Sequence, residues 1–114
     1  MSTEIDNVKW VVACSVDDID EEDVMRFDHD GASFAVYRTE DGFFASDGWC
    51  THERAHLADG FVIGGEIECP LHQGRFEIAS GKPKSPPVCV RLKVYPVKIE
   101  AGQVMLGVSG GGAS

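Results

Sequence analysis

Two short runs constrain this chain more than anything else in it: Cys50-Thr51-His52 and Cys69-Pro70-Leu71-His72. Each carries one thiol and one imidazole, and sixteen residues separate His52 from Cys69. That gap is long enough for two loops to meet from opposite sides of one metal site. Four soft or borderline donors in two close pairs point to zinc or to an iron–sulfur cluster. Structural zinc more often takes Cys-x(2–4)-Cys and His-x(3–5)-His pairs, and a Cys-x-His bite is tight for one tetrahedral ion. In a two-iron cluster the loops need not chelate one ion each, because both cysteines can take one iron and both histidines the other.

The rest of the composition describes an ordinary domain. At 114 residues, 43% hydrophobic and 25% charged, the chain holds core enough to fold alone. No apolar run approaches the ~20 residues of a membrane helix. The segment Met1 to Lys9 is polar and acidic, unlike a signal peptide, so the expectation is a soluble cytoplasmic protein. Cys14 and Cys89 then read as buried, reduced thiols acting as small hydrophobes. The formal net charge is −9, and residues 17–23 carry six carboxylates in seven positions. Nucleic acid is not expected as a partner, since phosphate binding needs a basic face. The acidic run reads as a solvated loop, while the overall charge can steer the molecule toward basic protein partners.

Along the chain, Lys9 to Cys14 predicts a first strand, and the acidic run a loop or one helical turn capped by Ser15 or Asp17. Val24 to Asp28 and Ala32 to Thr39 predict strands around a His29-Asp30-Gly31 turn, the second with the alternation of a half-buried strand. Asp41-Gly42 leads by a hairpin into Phe43-Phe44-Ala45. Ligand loops are expected from Trp49 to about Ala58 and from Cys69. Short strands lie between them around Gly64-Gly65, and another at 74–78 leaves the second loop. Lys82 to Pro87 reads as a loop because its three prolines cannot donate to a ladder. Val88 to Glu100 alternates again, with Val90, Leu92 and Val94 on one face, until Pro96 interrupts it. Gln103 to Val108 closes the fold, and residues 109–114 read as a disordered glycine-rich tail. With no long helix, repeat or second domain signalled, the expected fold is an all-β antiparallel sandwich or barrel. It occupies residues 1–108 as one domain, with a small cluster-binding subdomain at about 47–87.

Trp49-Cys50-Thr51-His52, the run Cys69 to Phe76 and the proline loop at Pro86-Pro87 resemble a Rieske-type [2Fe-2S] ferredoxin. The likeness is to the ferredoxin components of bacterial aromatic-ring-hydroxylating dioxygenase systems, and it covers roughly Val24 to Val108. It implies the Rieske fold with the cluster at one tip. It further implies that Cys50 and Cys69 hold an inner ferric iron, and that His52 and His72 hold an outer iron whose valence changes. Two ferric ions, two sulfides, two thiolates and neutral imidazoles sum to zero, so reduction leaves −1. An all-cysteine cluster would go from −2 to −3. Histidine ligation thus raises the potential into a range of ~−150 to +300 mV.

High-potential members of the family carry an extra cysteine in each ligand loop, at the positions of Ala55 and Leu71. They also carry hydroxyls at the positions of Gly74 and Phe76. This chain has none of these, which predicts the low end of the range. The resemblance implies a one-electron carrier between an NAD(P)H-dependent flavin reductase and a terminal oxygenase; a monomer is the default expectation, and the composition predicts no membrane or nucleic-acid partner. Catalysis of ring oxidation itself needs a mononuclear iron held by two histidines and a carboxylate. Once His52 and His72 are assigned, only His29 and His56 remain, both expected to face solvent. No glycine-rich nucleotide fingerprint follows a strand. Trp49 reads as packing over the cluster subdomain, and Arg54, His56 and Arg75 are candidate partner contacts. Glu53 and Arg54 depart from the small residues expected there, which bears on partner identity and not on the ligands. Two other readings are a small subunit of a nitrite-reductase-type enzyme and a zinc-stabilised interaction module.

Overall fold

A computed structural model describes residues 8–51, 54–71, 73–85 and 90–109. Of the expected glycine-rich tail at 109–114, Ser109 instead ends the last strand and 110–114 lie outside the described residues, as do His52, Glu53, His72, Pro86, Pro87 and Cys89. The strands are β1 (Val8–Ser15), β2 (Asp23–His29), β3 (Ala32–Thr39), β4 (Gly42–Asp47), β5 (Phe61–Ile63), β6 (Glu66–Glu68), β7 (Arg75–Glu77), β8 (Pro83–Ser85), β9 (Val94–Tyr95), β10 (Val97–Glu100) and β11 (Gln103–Ser109). Two single 3-10 turns, Val16–Asp18 and Leu57–Asp59, interrupt them. Among the described residues all strand pairings are antiparallel and build three sheets, ordered β1-β11-β10, β2-β3-β4-β9 and β5-β6-β7-β8. The all-β expectation holds.

β3 is the centre of the molecule. Phe34 and Val36 point to the first sheet, where they pack with Leu106 and Val104 respectively. Ala35 and Tyr37 point the other way, into a cluster with Ile67 and Phe76 of the third sheet and Ile78 just after β7. The alternation read in this strand as half-buried therefore separates two cores, and residues 34–37 are all buried. A strand covered on both faces loses the polar alternation that marks a solvated side.

Local chemistry explains the first turn. Ser15 Oγ accepts from the Asp17 N–H at 3.2 Å and Asp18 Oδ2 accepts from the Ser15 N–H at 2.9 Å, a reciprocal cap. The acidic run thus begins in a capped turn, as expected, with Ser15 as the cap, and its last residue, Asp23, opens β2.

Three expectations need correction. His29 ends β2, half-buried and stacked on Phe27 at 6.0 Å, so the turn is confined to Asp30 and Gly31. Pro83 begins β8, because β8 is the edge of its sheet and an edge strand tolerates a missing donor. Residues 90–93 form no strand. The Leu92 N–H instead donates to the Gly81 carbonyl at 2.8 Å, and Leu92 is buried while Val90 is exposed.

Candidate metal centre

Between β4 and the second 3-10 turn the chain makes a closed loop. Trp49 pairs with His56 across an isolated bridge, the Cys50 N–H donates to the Ala55 carbonyl at 2.9 Å, and the Leu57 N–H donates to the Gly48 carbonyl at 2.7 Å. Thr51 Oγ donates to the Val90 carbonyl at 2.9 Å, tying the loop to the segment that precedes β9. The second loop joins β6 to β7. The Cys69 N–H donates to the Gly74 carbonyl at 2.8 Å and the Gln73 N–H to the Leu71 carbonyl at 2.7 Å. Gln73 sits at φ 59°, the left-handed region that lets the chain reverse within six residues.

Each loop delivers its cysteine inward. Cys50 and Cys69 are both buried, and both belong to the packed cluster that contains Ala35, Tyr37, Phe76 and Leu92. The second and third sheets thus bring together two thiols that are nineteen positions apart in the chain. The two imidazoles expected to complete the set, His52 and His72, lie outside the described residues. Two buried soft donors from separate loops, in an apolar surround, fit the donor chemistry of an iron–sulfur cluster.

The surroundings of the loops differ from expectation at several positions. His56 is buried, at 4% exposure, and does not face solvent. Its Nδ1 accepts from the Ala58 N–H at 3.1 Å and its Nε2 lies 2.8 Å from Ser33 Oγ. Burial, reinforced by the Arg26 guanidinium, pushes the His56 pKa down, while Asp59 and Asp28 oppose that shift. Arg75 is held by Glu68 at 3.0 Å and lies 3.7 Å from Glu66, so its guanidinium is engaged within its own sheet. Arg54 is exposed. Trp49 does not pack over the subdomain as a buried residue: it is 46% exposed, in an edge-to-face contact with His56 at 4.9 Å between ring centres and with Arg26 over its ring at 5.3 Å. Leu71 in the second loop and Val90 in the segment bonded to Thr51, at 48% and 58% exposure, add further apolar surface.

Ser33, Asp28 and Arg26 are the residues that sequence reasoning missed here. One local signal existed for His56, its place just before Leu57-Ala58-Asp59, where a side-chain acceptor caps a turn. Nothing local pointed to Ser33.

The Rieske [2Fe-2S] domain family matches residues 9–96. The chain is 46% identical over 102 residues to the naphthalene 1,2-dioxygenase system ferredoxin component of Pseudomonas putida, covering 90% of this chain and 98% of that one. Among solved structures it is similar to a chain in the complex of reduced oxygenase and oxidized ferredoxin in carbazole 1,9a-dioxygenase. The TM-score is 0.84 at 36% identity, over 90% of this chain and 95% of that one. It is also similar to the Sphingomonas yanoikuyae B1 ferredoxin, with a TM-score of 0.83 at 35% identity over 88% and 99%.

Proposed function

Because the chain belongs to the Rieske [2Fe-2S] domain family, we propose that it works as the ferredoxin component of an aromatic-ring-hydroxylating oxygenase system. It is an electron carrier and not the catalyst of ring oxidation. The observation that carries this reading is the match to a dioxygenase-system ferredoxin over 98% of that relative's length.

A [2Fe-2S] cluster supplies one-electron chemistry when bound. In this reading Cys50 and Cys69 hold one iron, and His52 and His72 the other. Support for the thiol half comes from the burial of both cysteines in one packed cluster, each at the foot of its own hydrogen-bonded loop. The apolar residues Trp49, Leu71 and Val90 around those loops suit a protein partner, because electron transfer needs close approach and only a modest interface. A complex of oxygenase and ferredoxin among the similar structures supports a terminal oxygenase as the acceptor. The donor in this reading is an NAD(P)H-dependent flavin reductase, and the carrier is a cytoplasmic monomer. Its one domain spans 1–108 with the cluster subdomain at about 47–87, which the family match over 9–96 and the separate β5–β8 sheet support. Among the described residues no helix is long and apolar enough to cross a membrane.

The test is an absorption and EPR spectrum of the purified protein before and after dithionite, repeated for Cys50→Ser and His72→Ala. The expected wild type is red-brown and bleaches on reduction to a rhombic EPR species, and both variants lose that signature. A colourless, EPR-silent protein with one bound zinc, even after iron–sulfide reconstitution, would overturn the reading.

A further inference from the structure

His56 belongs to neither the candidate ligand set nor the hydrophobic core, yet it is almost fully buried at the foot of the first ligand loop. Its hydrogen bonds assign its tautomer. Nδ1 accepts the Ala58 N–H and so carries no proton. The neutral ring then has its hydrogen on Nε2, which donates to Ser33 Oγ at 2.8 Å. Ser33 Oγ passes its own hydrogen to Asp28 Oδ1 at 2.6 Å, and Arg26 Nε donates to the same oxygen at 3.0 Å. Ser33 and Asp28 are direct partners across the β2–β3 pair, so the chain of bonds ends on a rigid sheet.

The backbone runs parallel to this chain. The Gly48 N–H donates to the Ser33 carbonyl at 2.9 Å, and a side chain at position 48 would run into the His56 ring. The loop from 48 to 57 is therefore fastened to the hairpin twice, once through the backbone of Gly48 and once through the imidazole of His56. In sequence, Cys50 and His52 fall between those fastenings.

We propose that His56, as its neutral Nε2–H tautomer, is a positioning residue that ties the first ligand loop to the β2–β3 hairpin through Ser33 and Asp28 and so holds that loop's ligands to the cluster. The inference rests on the reading of Cys50 and His52 as ligands. A protonated ring would turn Nδ1 into a donor facing the Ala58 N–H, so the tie requires the neutral form. The charged groups facing the ring are Arg26 and Asp28 on β2 and Asp59 in the 3-10 turn. Burial and Arg26 lower its pKa from 6.5. The neutral form is thus fully present above that value and is lost only as the pH falls below it, toward the lowered folded-state pKa.

The experiment follows cluster loss, read as the decay of visible absorbance and visible circular dichroism, in holoprotein from pH 8 to 5. Wild type is compared with His56→Ala, His56→Gln, His56→Asn and Ser33→Ala. Gln places an amide nitrogen where Nε2 stands and cannot be protonated, whereas Asn reproduces only the Nδ1 acceptor. His56→Ala and Ser33→Ala should each lose the cluster about 10-fold faster at pH 8, in line with losses of outer-shell partners. His56→Gln should restore the wild-type lifetime there and lack the acid acceleration that wild type shows below its normal histidine range. Equal lifetimes for wild type and His56→Ala in a coloured protein would overturn this inference alone. So would rescue by Asn but not by Gln, which would leave His56 as a turn cap. A wild type that never takes up iron and sulfide would instead end the ligand reading, and the cluster role of His56 with it.

Discussion

At the scale of single residues, every buried side-chain nitrogen and oxygen among the described residues has a hydrogen-bond partner. The Tyr37 hydroxyl is fully buried between the second and third sheets, 2.7 Å from Ser46 Oγ. Ser46 Oγ gives its own hydrogen to the Asp47 carbonyl at 2.8 Å, so the tyrosine is the donor of the pair. Burial accordingly pushes the Tyr37 pKa far above its usual value, and the Ser46 bond offsets only part of that. Tyr37→Phe keeps the ring in its packing and removes one buried hydrogen bond. The expected cost is about 1 kcal/mol in a chemical denaturation experiment, with the cluster spectrum unchanged. A loss of cluster colour on this substitution would mean that the hydroxyl reaches further than the core.

At the scale of elements, the segment after the second ligand loop is decided by one close contact. Gly81 adopts φ +79°, and a side chain there would collide with the Leu92 carbonyl. This approach is what lets the Leu92 N–H donate to the Gly81 carbonyl and buries Leu92 in the cluster that holds both cysteines. Gly81→Ala meets both a left-handed backbone and a steric block. It should cost on the order of 2 kcal/mol and shift the urea midpoint accordingly. A midpoint equal to that of wild type would show that residues 90–93 can dock without this contact.

For the whole molecule, charge and the setting of the thiols bear on redox function. The net charge of −9 disfavours further negative charge on reduction, and both cysteines are buried in a largely apolar cluster. Ala55 and Phe76, two of the positions where high-potential relatives were expected to differ, are buried in the same cluster as Cys50 and Cys69. With Gly74 and Phe76 where high-potential relatives carry hydroxyls, the reduction potential should lie near the low end of the Rieske range, at ~−150 mV. A redox titration ending well above zero would contradict this. Such a potential suits acceptance of electrons from a nicotinamide-linked reductase.

What the sequence alone determined is the part of the protein that rests on short-range spacing. The two Cys/His runs, the glycine turn at 64–65 and the capped acidic turn are legible because every residue that defines them lies within a few positions. The family and the electron-carrier role followed from those runs. The tertiary structure decided what depends on residues far apart in the chain. It covered β3 on both faces, turned the alternation at 90–93 into a docked segment, and took His56 from an expected solvent position to a buried hydrogen bond with Ser33, 23 residues away. The physical reason is the same in each case: a side chain's burial and bonding partners are set by which sheet packs against it, and local pattern does not encode that choice.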